Sequence, residues 1–176
     1  MLLELHPIDS KTASSHKFKL AVITMILSKT AGNAEILYQT RTRQPFMGRQ
    51  EIIGGGIRRG ESVVTAAKRR LKEEAGLEAD FRIFGLLRKM RFSDDHRLYS
   101  DILYHVCLST EYRGILIGEN EFGENYWMPL DNAIRIEMTA PYGSKKFGEI
   151  LKQLHEVDEK LISLFYIEEQ YTQNIY

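Results

Sequence analysis

The sequence predicts an α+β domain with helices layered on a sheet, on three observations. Several segments rich in β-branched, aromatic and large apolar residues read as strands: 17–28, 35–41, 80–92 and 98–109. An amphipathic helix with clear start and stop signals separates the second of these from the third, just after a run of three glycines. A second, longer amphipathic stretch closes the chain. A helix with one apolar stripe must cover it against another element, so strands on both sides of a helix call for stacked layers.

In chain order, residues 1–16 carry Pro7 and a polar SKTASS run and are expected as an extended lead-in. Residues 17–28 (KFKLAVITMILS) form a buried strand. Gly32-Asn33 turns it into a hairpin with 35–41 (EILYQTR). A loop with Arg41, Arg43, Gln44 and Pro45 follows, then a short strand over 50–53 and the glycine-rich loop at Gly54, Gly55 and Gly56. Ser62 suits a helix N-cap, because its hydroxyl can accept from free backbone N–H groups. Ala66, Ala67, Leu71 and Ala75 then line one face, and Gly76 supplies a left-handed stop. Arg69 and Arg70 lie one turn before Glu73 and Glu74, so their side chains can meet. After the strands at 80–92 and 98–109, a short strand is expected at 115–117 and another at 126–129 (YWMP), with a short helix at 130–135. The spacing of Phe147, Ile150, Leu151, Leu154, Val157, Leu161, Ile162, Leu164 and Phe165 predicts one long helix over 144–171.

Composition narrows the function classes. The 176 residues suit one domain over 1–176 with a substantial core. With 24 basic and 24 acidic side chains there is no positive excess, so no nucleic-acid polymer is expected as a partner. A lone cysteine, Cys107, excludes an internal disulfide and favours a reducing compartment; its apolar surroundings make it a buried thiol rather than a nucleophile. The apolar run at 20–27 is too short to span a bilayer, and the start of the chain lacks the pattern of a secretion signal. A cytoplasmic protein without a membrane association is expected.

The stretch GGGIRRGESVVTAAKRRLKEEAGL, residues 54–77, resembles the Nudix box. That pattern is a glycine, five residues, a glutamate, seven residues, then Arg-Glu-aliphatic-any-Glu-Glu-any-Gly-aliphatic. Gly55, Glu61, Arg69, Leu71, Glu73, Glu74, Gly76 and Leu77 fill its constrained positions without a gap. One position departs: Arg70 stands where the family has a glutamate. The resemblance implies a Nudix α/β/α sandwich with a mixed sheet and a central box helix, to which the apolar spacing adds the long C-terminal helix. It also implies hydrolysis of a nucleoside diphosphate linked to another moiety, with Mg²⁺ or Mn²⁺ as cofactor. By resemblance Glu73, Glu74 and Gly55 (through its carbonyl) hold the metal, while Glu61 and Arg69 brace the site.

Hard divalent ions prefer oxygen ligands, and carboxylates clustered on a rigid helix supply them. Arginine can serve neither as ligand nor as base, since it stays protonated and has no acceptor. Arg70 therefore leaves two readings. Either another carboxylate is the base, or the chain is a catalytically weak or inactive Nudix-fold module that binds a nucleotide or a protein. Glu119, Glu121 and Glu124 precede Trp127 in the loop where family members often carry a further glutamate, and Glu121 has the most suitable spacing. Glu74, Glu73 and Glu121 are thus the catalytic candidates. Arg41 and Arg43 are the substrate-binding candidates, because a guanidinium fork suits phosphate oxygens. A small nucleotide-like molecule is the expected partner. Leu161, Leu164, Phe165 and Tyr166 serve either a homodimer interface or the domain's own sheet.

Overall fold

A computed structural model describes residues 18–30, 33–44, 46–156, 158 and 162–171. The lead-in at 1–16, and the two residues that close the first hairpin, lie outside these. Ten strands and three helices make up the described chain. β1 (Lys19–Thr30) and β2 (Asn33–Arg41) form the antiparallel hairpin, and β3 (Gln50–Glu51) adds to β2. β6 (Arg82–Phe92), β7 (Leu98–Ser109), β9 (Gly123–Pro129) and β10 (Phe165–Tyr171) complete the large sheet, together with β4 (Gly54–Gly56). Its order is β10-β6-β7-β1-β2-β3, with β4 also on β1 and β9 also on β2. The β1–β7 and β10–β6 pairs are parallel and the others antiparallel, so the sheet is mixed. β5 (Glu78–Ala79) and β8 (Tyr112–Arg113) form a separate small ribbon.

The two faces of β1 show why both sides of the sheet need helices. Met25 and Leu27 pack with α2 (Leu130–Thr139) and α3 (Lys145–Glu156), in a core that includes Ala133, Phe147, Leu151 and Leu154. Val22 and Ile26 point the other way, toward α1 (Val63–Ala75), onto Ala66, Ala67, Leu71 and Ala75. A strand buried on both faces reads as an unbroken apolar run, which is what 17–28 is. Cys107 is fully buried, and burial pushes its thiol up to about 11.

Four expectations need correction. The stretch 144–171 is not one long helix: α3 ends at Glu156 and Phe165–Tyr171 is a strand, paired in parallel with β6. Phe165 and Ile167 are buried while Tyr166 and Glu168 are exposed, a two-residue period that the helical spacing of leucines masked. The ring of Phe165 meets Phe84 edge-on at 5.3 Å and lies over Gly85, where a Cβ would come within 2.5 Å of it. The homodimer expectation therefore loses its helix, since Phe165 and Tyr166 stand on an edge strand; Leu161 lies outside the described residues. Residues 115–117 are irregular rather than a strand, with Ile115 fully outward and Ile117 N–H donating to the Ala75 carbonyl. The glycine run is itself a strand, β4, because Gly54 lies so close to β1 that a Cβ would sit 2.6 Å from the Val22 carbonyl oxygen. Finally, β9 begins at Gly123 and α2 reaches Thr139, both longer than expected.

Candidate active site

α1 and β4 meet at the top of β1 and bring the box residues together. Ser62 caps α1 by accepting from Thr65 N–H at 3.1 Å, and Gly76 ends it at φ 72°, a left-handed conformation glycine adopts without strain. Arg69 ties the helix to the strand before it. Its Nε and Nη2 donate to the two oxygens of Glu61 at 2.7 and 2.8 Å, Nη2 reaches the Gly56 carbonyl at 3.2 Å, and Nη1 reaches Glu73 at 3.1 Å. The Arg69 fork, with the Arg58 N–H, holds the Glu61 carboxyl down at about 2. Glu61 and Arg69 are thus joined by a two-point ion pair. Bidentate pairing fixes orientation as well as charge.

Glu74 points inward and is 5% exposed. Burial pushes its carboxyl up to about 7, against the nearby Arg70 charge, while Glu51 adds to the rise. Its backbone carbonyl accepts from Asn120 at 2.5 Å and Asn125 at 2.6 Å, which fastens the loop before Trp127 to the end of α1. Glu73 lies outside it, in contact with Arg58 at 3.3 Å and Arg69 at 3.1 Å.

Arg70 lies in the middle of this arrangement. Its Nη1 donates to Glu74 at 3.2 Å and stands 3.9 Å from Glu73. Its guanidinium rests flat on Gly55, where a Cβ would be 2.2 Å from Nε and 2.4 Å from Cζ. Nε is buried with no hydrogen-bond partner among the described residues. The guanidinium therefore stands between the three groups that the resemblance assigns to a metal, namely Glu73, Glu74 and the backbone at Gly55. Among the described residues no three carboxylate, histidine or cysteine side chains converge as a metal centre. In this arrangement the donor set does not fit a divalent ion: its charge is already met by arginines.

Glu121 is brought elsewhere. Its carboxylate is largely exposed and pairs with Arg43 at 3.5 Å, and Arg43 stacks on Phe122 at 4.6 Å. Neither makes a contact with Glu73, Glu74 or Arg70 among the described residues. Arg41 bonds Glu51 at 3.0 Å and lines a recess of about 250 Å³ beside Gly54 and Gly55. The sequence reading missed Glu51, Arg49 and Lys89 at this recess. Arg-Gln-Glu shortly before the glycines was the available signal for the first two; Lys89 reads in the sequence only as one of the basic residues along the strand at 80–92, and it is buried in β6.

The fold and the braced box helix define a Nudix-type site. The model of the NUDIX domain matches residues 17–149, so the chain belongs to that family. Among solved structures it is similar to a MutT protein from Bacillus halodurans, at 19% identity over 88% of this chain and 90% of that one, with a TM-score of 0.69. It is also similar to the NUDIX domain of Shewanella oneidensis NrtR complexed with ADP ribose (18%, 85% and 92%, TM-score 0.56). A third likeness is to a C. elegans Ap4A hydrolase binary complex (20%, 78% and 96%, TM-score 0.54). Nudix hydrolases generally use divalent metals. No helix among the described residues is long and apolar enough to cross a membrane.

Proposed function

We propose that this chain binds a nucleoside diphosphate derivative at the box, with Arg70 supplying the positive charge that faces the diphosphate. The observation that carries this reading is the place of the Arg70 guanidinium, on Gly55 and within hydrogen-bonding distance of Glu74. A cation held there by the chain itself neutralises the carboxylates without an added ion, and a planar fork suits phosphate oxygens. The ADP ribose in one similar structure and the diadenosine compound named in another support this ligand class.

A second reading keeps metal-dependent hydrolysis of the phosphoric anhydride bond. It is favoured by the Glu61–Arg69 ion pair and by Arg70 having, among the described residues, one hydrogen bond, to Glu74, besides a looser ion pair to Glu73. Turning Arg70 away would free Glu74, while Glu73 would keep its pairs with Arg58 and Arg69.

Thermal melts and turnover assays with ADP-ribose, with Mg²⁺, Mn²⁺ or a chelator, separate the two. Ligand at 100 times its Kd adds about 2.7 kcal/mol, or about 5–11 °C for a domain of this size. The binding reading expects that shift with chelator present and no turnover. Hydrolysis that requires Mg²⁺ or Mn²⁺ and is abolished by Glu74→Gln would establish the second reading instead.

A further inference from the structure

The recess beside the box contains cations that the site above does not use. Its floor is one face of the sheet, where Leu87, Lys89 and Arg91 alternate along β6. Lys89 is 7% exposed, yet no carboxylate oxygen lies within 4.0 Å of it or of Arg91 among the described residues. The Lys89 ammonium has one weak hydrogen bond, to the Tyr142 carbonyl at 3.4 Å, and lies 5.8 Å from the Tyr171 ring. Burial at that depth disfavours its charge, which the carboxyls of Glu137 and Glu169 only partly offset.

The wall opposite is built to hold a third cation in place. Arg49 stacks on Tyr142 at 4.4 Å and on Phe46 at 5.4 Å; a Glu51 oxygen stands 3.3 Å from its Nε as an ion pair, while that Nε–H makes no hydrogen bond among the described residues. Phe46 adopts φ 73°, a left-handed conformation that is strained for a non-glycine residue. That strain sets its ring against Arg49 and also brings it to 6.0 Å from Arg91. Two carboxyls, Glu51 and Glu137, also line the recess. Glu51 is taken up by Arg41 and Arg49, and burial shifts Glu137 toward its neutral form. Four basic side chains, Arg41, Arg49, Lys89 and Arg91, thus line the recess with two acids.

We propose that this recess is a phosphoryl-anion subsite, held by Lys89, Arg91 and Arg49 and continuous with the box through Gly54 and Gly55. Resting on the proposed function, the ligand is then a nucleoside diphosphate derivative with a further phosphoryl group that reaches past the glycine strand into the recess. Burial holds Lys89 below the ordinary lysine value, and an anion beside it favours its charged form.

Calorimetric titrations of inorganic phosphate, ADP and ATP into the full chain, Lys89→Met and Arg91→Gln test this. Wild type is expected to bind phosphate, and each variant to bind it about tenfold or more weakly. Lys89→Met is expected to melt near the wild-type temperature, since it replaces a buried amine held by one weak hydrogen bond with an apolar chain of similar length, so loss of binding is not loss of fold. ATP binding more tightly than ADP in wild type, with the difference gone in both variants, assigns the recess to the ligand's own phosphoryl group. If phosphate binds but neither nucleotide does, the recess stands as a site for the free anion and the proposed function falls. Equal phosphate affinity in all three proteins, or no binding to wild type at millimolar phosphate, overturns the subsite.

Discussion

Replacing Arg70 with methionine removes the charge that opposes the rise of the Glu74 carboxyl while keeping much of the side-chain volume. In the folded protein that carboxyl is at about 7 rather than its ordinary 4.5, because burial disfavours the charged form. The native state therefore holds the proton more tightly than the unfolded chain. Stability from this group is greatest at low pH, falls as pH rises from about 4.5 to about 7, and is flat above that in the wild type. Without Arg70 the folded value moves further up, so the fall continues past pH 7. The Arg70–Glu74 contact at 3.2 Å corresponds to ~5 kcal/mol of attraction at an effective dielectric near 20. Even half of that exceeds one pH unit, so the window extends beyond pH 8. Between pH 7 and 8 the variant should lose up to ~1.4 kcal/mol more than wild type, or about 3–6 °C in Tm. Urea melts at pH 6, 7 and 8 measure this, with Arg70→Met/Glu74→Gln as the control in which the extra pH dependence disappears. A gap between Arg70→Met and wild type that is the same at pH 6 and pH 8 would refute the pairing, and with it the placement of Arg70 in the cradle.

Gly55→Ala places a methyl group 2.2 Å from Arg70 Nε and so should expel the guanidinium. It is expected to reproduce the steeper loss of stability above pH 7 seen for Arg70→Met, and a pH-flat difference from wild type would show that the two groups do not touch. At the other end of the sheet, Phe165→Ala should cost about 3–5 kcal/mol, because the ring is buried against Phe84 and Gly85, while Tyr166→Ala stays within about 0.5 kcal/mol. Equal costs at these two neighbours in chemical denaturation would contradict the strand alternation of β10.

Much of the site's frame could be read along the chain because it is local. The N-cap Ser62, the stripe Ala66, Ala67, Leu71 and Ala75, and the stop at Gly76 all lie within one helix and its ends. The brace from Arg69 to Glu61 spans eight residues. Periodicity failed where two periods coincide: Leu161, Leu164 and Phe165 fit a helical stripe, yet 165–171 became a strand because β6 presented an unpaired edge and Gly85 left room for the Phe165 ring.

The sequence by itself determined the family, the box helix and the substitution of a positive charge for a negative one at position 70. Only the tertiary structure decided where that charge goes. Folding brings β4 against β1, sets Gly55 beneath the guanidinium, and buries Glu74 so that Arg70 is its nearest counter-charge. It likewise gathers Arg49, the β6 pair Lys89 and Arg91, and Glu137, three separate parts of the chain, around one recess. The physical reason is that motif spacing fixes contacts within a turn or two of backbone. Burial, and with it the strength of any charge, depends on which distant strands and helices close over the residue.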